Sequence, residues 1–243
     1  DIISFIESRF SQQKVSASVI RFITTRTDGV PLFLEELISM LKEQNRLKRI
    51  NGFIDFSQDK SLDEVPASLQ GLLQQKIDAV GYAKETAQLA ASIGREFDYG
   101  LLVSTSMQTE ARVQADLDTL AASDLIYIQR QVGGDRYRFK HSLISDVITN
   151  SVPQKLRKLY STHIASALLL ATQTLATLTH LFKHQINAEQ SDQAMKTGTT
   201  LIEAKLKRGD YYSASSDIKQ CHSLVKQLAP PEEITLNTLK LNS

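Results

Sequence analysis

The sequence predicts a mainly α-helical protein, in which a helical segment precedes a domain with one β-hairpin, and an array of helices follows. Apolar residues recur at the 3.6-residue spacing of amphipathic helices along most of the 243 residues. Alternation with a period of two is confined to short stretches beside glycine-containing turns. Beyond residue 150 every stretch has helical spacing. The expected parts are residues 1–57, 65–150 and 154–243.

The first part is predicted to contain three helices and a short hairpin. The helices cover Asp1 to Phe10, Ser16 to Thr25 and Pro31 to Gln44. Pro31 suits the first turn of a helix, where no backbone N–H is needed. Leu47 to Phe56 alternates around Asn51-Gly52, a dipeptide that favours a two-residue hairpin turn. The polar residues from 58 to 64 are predicted to be a linker between domains.

The second part is predicted to contain four helices followed by two strands. Pro66 is expected to open the first helix, and the others are Ala83 to Ile93, Tyr99 to Ser104, and Thr109 to Ala122 with Thr109 as N-cap. The strands Leu125 to Gln129 and Tyr137 to Lys140 flank a turn at residues 132–135. Helices followed by one hairpin, the wing, are typical of a winged helix.

His141 is predicted to lie where a strand passes into a helix. Tyr137 and Phe139 alternate with polar residues, whereas Leu143 and Ile144 begin a helical apolar face. The first N–H groups of a helix lack partners within it and favour anions, phosphate included. His141 is therefore a candidate phosphate contact, with a simple helix cap as the alternative.

The third part is predicted to be helical throughout. The expected helices are Gln154–Ala171, Leu175–Ile186, Ser191–Lys207, Tyr211–Leu228 and Pro231–Leu241. Gly209, Tyr211, Ala214 and Cys221 have the spacing of the second helix of a tetratricopeptide repeat. Repeats of this kind bury their apolar faces only against neighbours, so we expect the chain to be a piece of a longer protein.

Composition excludes several classes of function. Lys and Arg number 28 and Asp and Glu 27, so net charge favours neither nucleic acid nor a membrane surface. Cys221 is the single cysteine, which excludes an internal disulfide and favours a reducing cytoplasm. No apolar run reaches the roughly 18–20 residues that a membrane span needs. A cytoplasmic protein without membrane contact is expected.

No catalytic or metal-binding motif is recognisable, so no enzymatic activity is expected of these residues. His180 and His184 have the i, i+4 spacing of metal ligands, but no cysteine or third ligand is near, and both are predicted to be surface histidines. His163 and His222 are isolated on helices. Acid–base work by Glu35 and Glu36 is not expected, because carboxylates near helix starts are common.

Winged helices often bind DNA, so DNA is considered as a partner of the predicted winged helix. The wing and the residues after it are basic and include Arg130, Arg136, Arg138, Lys140, Lys155, Arg157 and Lys158. The helix that would enter the major groove, Thr109 to Ala122, has three acidic residues against Arg112. An acidic reading helix would repel phosphate, so DNA is not the expected partner.

Several stretches resemble the signal-transduction ATPases with numerous domains, the STAND class of AAA-related proteins. Residues 29–37, Gly-Val-Pro-Leu-Phe-Leu-Glu-Glu-Leu, are similar to its G-x-P-L-F-L-E-E-L element. Residues 65–73 and 93–97 resemble the start and middle of its winged helix, and residues 137–144 resemble the end. The similarity is greatest to large bacterial regulators, in which the ATPase is joined to an output domain.

The resemblance implies a nucleotide site shared with parts outside these residues. Pro31 would pack on the adenine of ATP or ADP, Gly29 would allow close backbone approach, and His141 would reach the β-phosphate of ADP in a closed, inactive state. The nucleotide-binding core with its phosphate loop is absent from the 243 residues. Contacts are therefore expected only with that core, and no cofactor is expected without it.

The function implied is that of a regulatory and sensor segment of a signalling ATPase. Residues 1–57 would be its helical lid, and a protein or small ligand on the repeats would bias the nucleotide state and the output domain. Two alternatives are a protein-binding scaffold in which nucleotide plays no part and a DNA-binding winged-helix regulator. Pro31 as an ordinary helix start is likewise an open alternative.

Overall fold

The structure, a computed structural model, describes residues 2–11, 13–57, 62, 64–130 and 134–228. Within these residues the protein is mainly helical, with a two-stranded and a three-stranded sheet, so the predicted fold class is confirmed. The chain divides into two compact units, residues 1–81 and 82–243. No helix of the described part has both the length and the apolar character that crossing a bilayer requires.

The first unit contains helices and one hairpin. Its elements are α1 (Ile2–Ser8), α2 (Ala17–Thr27), α3 (Pro31–Glu43), β1 (Leu47–Ile50), β2 (Phe53–Phe56) and α4 (Leu69–Ala79). β1 and β2 are antiparallel, with Leu47 opposite Phe56. Asn51 and Gly52 between them have φ of 49° and 85°, as a two-residue turn with positive φ at both positions requires. The predicted hairpin is therefore confirmed.

A buried ion pair joins α3 to α4. Lys76 Nζ donates to Glu36 Oε2 at 2.7 Å, and the two side chains are 14% and 4% exposed. Leu37 and Leu41 of α3 and Leu72 of α4 belong to the apolar core of this unit. The first turn of α3 has no acidic residue, so Glu36 does not stabilise the helix dipole. It stabilises the charge of Lys76 instead.

The second unit begins with a mixed helical and β region. Its elements are α5 (Ala83–Ile93), β3 (Glu96–Asp98), α6 (Tyr99–Thr105), α7 (Glu110–Ala122), β4 (Ile126–Gln129), β5 (Arg136–Phe139) and α8 (Ser142–Ser151). The sheet has the order β3-β5-β4, and both pairings are antiparallel. Tyr137 and Phe139 of the central strand are buried against Phe97, with ring centroids 5.7 and 5.6 Å apart.

Four helices follow, α9 (Gln154–Leu170), α10 (Leu175–Asn187), α11 (Ser191–Lys207) and α12 (Tyr211–Leu228), and each packs on the one before it. The predicted helical array is thus present up to residue 228. Gly198 lets α11 pack tightly against both neighbouring helices. A Cβ at this position would lie 2.6 Å from Cys221 Sγ of α12 and 2.8 Å from Phe182 Cε2 of α10. Gly209, with φ of 75°, ends the connection to α12 in a conformation that glycine adopts readily.

The structure corrects some predicted elements. β3 was not predicted, and the predicted order of four helices and two strands is wrong at that point. Pro66 does not open a helix, since α4 begins at Leu69 and the Ser68 hydroxyl caps it by accepting from the Gly71 N–H. Thr109 lies at the N-cap of α7, as predicted, but makes no side-chain cap hydrogen bond.

Some predictions cannot be compared with the structure. The helix Pro231–Leu241, the linker residues 58–61 and 63, and the turn residues 132–133 lie outside the described residues. α4, expected in the second part, belongs to the first compact unit. The division into residues 1–57, 65–150 and 154–243 stays a prediction.

Removing one partner of the buried ion pair should destabilise the protein strongly. Glu36→Gln would leave the Lys76 ammonium buried without a carboxylate, which costs about 3 kcal/mol of unfolding free energy. Urea unfolding followed by circular dichroism measures the change. Glu35→Gln is the matched control, because its pair with Arg9 is far more exposed and is worth at most about 1 kcal/mol. Equal losses of unfolding free energy in the two variants would contradict a stabilising buried pair between Glu36 and Lys76.

Gly198→Ala should also destabilise, against the usual helix preference. Alanine in a helix interior gains about 1 kcal/mol over glycine, but forcing a methyl into a packed contact costs about 1–3 kcal/mol. The added Cβ would approach Cys221 and Phe182 too closely, so we expect a net loss and a lower Tm. Lys196→Ala, at an exposed position of the same helix, is the control. A higher Tm for Gly198→Ala would contradict the close packing.

Candidate functional site

The residues of the G-x-P element lie in the turn between α2 and α3. Asp28 and Gly29 both have left-handed conformations, with φ of 47° and 72°. A Cβ on Gly29 would lie 3.0 Å from Ile2 Cδ1, so glycine is favoured by both backbone and space. Pro31 is the first residue of α3, and its ring is exposed. Pro31 therefore starts a helix and also presents a flat apolar face to solvent.

His141 lies at the N-cap position of α8, with the extended φ and ψ of −135° and 145°. Its side chain makes no cap hydrogen bond, so the alternative of a side-chain helix cap does not apply. Its Nε2 atom is enclosed and has no hydrogen-bond partner among the described residues. A buried polar atom without a partner costs about 1–3 kcal/mol, which makes His141 an unusual residue at this position.

The predicted nucleotide contacts are distributed over both compact units. Gly29 and Pro31 belong to the first and His141 to the second. Their joint contact with one nucleotide stays a prediction. Each residue has one feature that nucleotide contact would use. Gly29 has no Cβ, Pro31 has an exposed ring, and His141 has an unpaired ring nitrogen.

A cleft that was not predicted from sequence lies in the second unit. It has a volume of about 720 Å³ and is lined by α5, α8, α9 and α10. The cationic residues on its walls are Arg95, Lys155, Arg157, Lys158 and Lys183. Its carboxylates are Asp146 and Glu189. We call this the basic cleft, because its cations outnumber its carboxylates.

The ion pairs inside the basic cleft do not neutralise all of its positive charge. Lys158 pairs with Glu189, and Arg95 makes a long contact of 3.4 Å with Asp146. Arg157 donates from Nε to the Val152 carbonyl at 2.8 Å and from Nη2 to the Asn150 carbonyl at 3.0 Å. Backbone carbonyls at the end of α8 thus orient Arg157 without cancelling its charge.

Two further cations of the basic cleft have no carboxylate partner. Among the described residues, neither Lys155 nor Lys183 forms an ion pair, and both are exposed. Lys155 lies in the first turn of α9, which has no acidic residue. The positive end of the helix dipole therefore adds to these charges.

His184 forms part of the floor of the basic cleft. It is 1% exposed, and both of its ring nitrogens lack hydrogen-bond partners among the described residues. Burial, followed by the charges of Lys183 and His180, lowers the pKa of His184 to about 4. The ring is therefore neutral near pH 7. The prediction that His184 is a surface histidine is wrong, because α10 turns it toward α9.

A smaller cavity of about 340 Å³ lies on the other side of His184. Half of its lining residues are apolar, and the others are Glu96, Asp98, Arg136, Thr177, His180 and His184. His180 is exposed by accessible surface, as predicted. Neighbouring protein atoms still remove part of the water around its ring, and this desolvation, followed by the charge of Lys183, lowers its pKa. In the described part of the chain, no group of three His, Cys, Asp or Glu side chains is arranged to hold a metal ion.

Three of the seven basic residues of the wing and the segment after it, Arg138, Lys140 and Lys158, form ion pairs within the protein. Arg138 Nε lies 3.1 Å from Glu96, and Lys140 pairs with Asp124. On α7, Arg112 pairs with Asp116, which is buried and accepts a hydrogen bond from the Thr86 hydroxyl. That DNA is not the partner stays a prediction, but these pairs lower the charge available to phosphate.

The basic cleft had a partial signal in the sequence. Lys155, Arg157 and Lys158 were visible as a basic run, and α9 lacks the acidic first turn that many helices have. Lys183 and His184 gave no such signal, because their place beside α9 depends on how α10 packs. Helical periodicity does not specify that packing.

Protonation of His184 should make stability depend on pH. Its folded pKa of about 4 lies below the ordinary 6.5, so the unfolded chain binds a proton that the folded chain does not. The contribution of His184 to the free energy of unfolding is fully present above pH 6.5. It should fall by about 3 kcal/mol as the pH drops to about 4. Urea unfolding at several pH values, compared with His184→Gln, measures this contribution.

The control for this prediction is His163→Gln, a half-buried histidine of α9. We expect His184→Gln to flatten the curve between pH 6.5 and 4 beyond any change that this control produces. If His184→Gln keeps the full dependence, the buried, neutral state of this ring is wrong.

Comparison with known proteins gives one distant similarity. No protein-family model matches the chain. An uncharacterized protein of Rhizobium meliloti is 26% identical over 140 residues, which are 57% of this chain and 13% of that protein. The similar stretch is therefore a small part of that protein, which is more than four times the length of this chain.

Proposed function

We propose that this chain is a non-enzymatic regulatory segment of a cytoplasmic signalling ATPase of the STAND class. Its first unit would contribute the lid helices with Gly29 and Pro31, and its second unit would contribute His141 and the helical array. The observation that carries the proposal is the enclosed, unpaired Nε2 of His141 at the start of α8.

The order of helices and strands in the second unit supports the proposal. The order α5, β3, α6, α7, β4, β5 places a hairpin after a helix-turn-helix pair, and β3 completes a small sheet. A helix-turn-helix variant with a wing has the same order of elements. β5 leads directly into α8, so the wing and His141 share one continuous segment.

The helical array supports a sensor role. α9 to α12 pack in chain order, as the helices of repeat proteins do. Ala214 and Cys221 of α12 are buried, and Gly198 allows α11 to approach α12 closely, as small residues of tetratricopeptide-like repeats would. The array offers a surface on which a protein or a small ligand would bind.

The length of the distant relative also supports a place in a larger protein. The similarity covers 13% of the Rhizobium meliloti protein, so comparable sequence occurs there as one segment among others. A nucleotide-binding core and an output domain elsewhere in the parent protein would be the principal partners of this chain.

In this proposal, Pro31 and His141 contact ATP or ADP held by that core. Pro31 would pack its exposed ring on the adenine, and the ring of His141, whose Nε2 is enclosed in this structure, would turn outward to donate from Nε2 to a phosphate oxygen. A hydrogen bond to a phosphate is charge-assisted and stronger than a neutral one. His141 would thereby hold the segment in the ADP-bound, inactive arrangement and release it on exchange.

The proposal is tested by ADP release from the parent protein. His141→Ala should speed the dissociation of a fluorescent ADP analogue by about tenfold or more, because one charge-assisted hydrogen bond is lost. His163→Ala, which removes another partly buried imidazole from the same unit, should leave the rate unchanged. Circular dichroism verifies that both variants fold.

Equal release rates in the unchanged protein and in His141→Ala would contradict the proposal. The nucleotide-independent scaffold would then be the better explanation for the winged helix and the array. A salt-dependent complex of the parent protein with duplex DNA, lost in an Arg136→Gln variant, would instead favour the DNA-binding alternative.

A further inference from the structure

We infer that the basic cleft binds a small molecule that bears phosphate groups. This inference does not rest on the proposed nucleotide contacts of Pro31 and His141, since neither residue lines the cleft. The cleft is formed by four helices of the second unit, from both the region before α8 and the helical array. A ligand held there would connect α5 and α8 to α9 and α10.

The charge of the basic cleft selects an anion. Lys155 and Lys183 have no carboxylate partner among the described residues, and Arg157 is held by carbonyls alone. Glu189 offsets Lys158, and Asp146 lies 3.4 Å from Arg95. The uncompensated charge is therefore that of about three cations. A single carboxylate would leave most of it unmatched, whereas a phosphate ester or diphosphate would balance it.

The buried floor of the cleft provides a second, independent observation. His184 is almost fully buried, and neither Nδ1 nor Nε2 has a partner among the described residues. A neutral imidazole carries one N–H donor and one acceptor, and leaving both unpaired in the interior costs free energy. Both nitrogens are enclosed, so a ligand in the cleft would reach one of them through a small rotation of the ring, and an acceptor oxygen would then satisfy its N–H. His184 would therefore contribute a directional hydrogen bond, whereas the lysines contribute positive charge.

The start of α9 adds backbone donors to the cleft wall. Gln154 and Lys155 are the first two residues of this 17-residue helix and line the cleft. Their N–H groups lie at the positive end of the helix dipole, where no acidic side chain of the first turn competes. Together with Lys155, Lys183 and the His184 floor, they form a site with several types of donor.

The size of the cleft favours a small molecule over a macromolecule. Its volume of about 720 Å³ falls within the roughly 300–1,000 Å³ of small-ligand sites. Asp146 and Glu189 on the walls would repel an extended polyanion such as nucleic acid. They would accept hydrogen bonds from hydroxyl or amino groups on the rest of a compact ligand.

The experiment is a titration of the full chain with inorganic pyrophosphate at constant ionic strength. Binding is measured by calorimetry and by NMR of the histidine ring resonances. Saturable binding should shift the resonances of His184, and Lys155→Gln and Lys183→Gln should each weaken binding by about tenfold. Lys196→Gln, an exposed lysine of α11 outside the cleft, is the matched control and should bind as the unchanged protein does.

Three outcomes would overturn the inference. One is the absence of saturable binding at millimolar pyrophosphate, and another is equal weakening by Lys196→Gln and Lys183→Gln, which would indicate nonspecific charge. The third is binding of an acidic peptide in place of pyrophosphate, which would make the cleft a protein-docking surface. NMR spectra of each variant verify that the fold is intact.

Discussion

The burial of strand β5 is the constraint on which the rest of the second unit depends. β5 pairs with β3 on one side and β4 on the other, and its Tyr137 and Phe139 side chains are buried. The Tyr137 ring stacks on Phe97, whereas the Phe139 ring meets Phe97 at a tilt of 52°. A shift of one residue in this strand would expose both rings and bury Arg138, so the register is strongly specified. Because α8 begins three residues after Phe139, the register also fixes where His141 lies.

The same constraint extends to the basic cleft. α8 continues from β5 and provides Ser145, Asp146 and Thr149 to the cleft wall. The end of α8 also provides the carbonyls that orient Arg157. Both candidate sites of the second unit, at His141 and in the cleft, are therefore placed by one strand-to-helix segment. A signal bound in the cleft would act on the helix that carries the His141 N-cap.

Local patterns predicted much of the fold, because many elements depend on neighbours in sequence. Asn51 and Gly52 determine their turn by backbone conformation alone, and α5, α11 and α12 begin and end as their periodicity predicts. β3 was missed because three residues carry little periodicity and pair with Arg138 and Tyr137 forty residues later. Long-range pairing of this kind has no local signal.

The candidate sites were less predictable than the fold for a related reason. Glu36 and Lys76 form their pair across 40 residues, and His184 becomes buried only when α10 packs on α9. Sequence shows that a histidine lies on a helix, but the face that becomes interior depends on its partners. The position of His141 at the start of a helix could be predicted, because the change from strand to helix spacing is itself a local pattern.

The central claim is that His141 contacts a phosphate of nucleotide bound to the parent protein, and a crystal structure of that protein with ADP tests it most directly. We expect His141 Nε2 at about 2.7–3.2 Å from a phosphate oxygen, with Pro31 against the adenine. A structure in which Nε2 stays enclosed in the second unit while ADP binds elsewhere would contradict the claim.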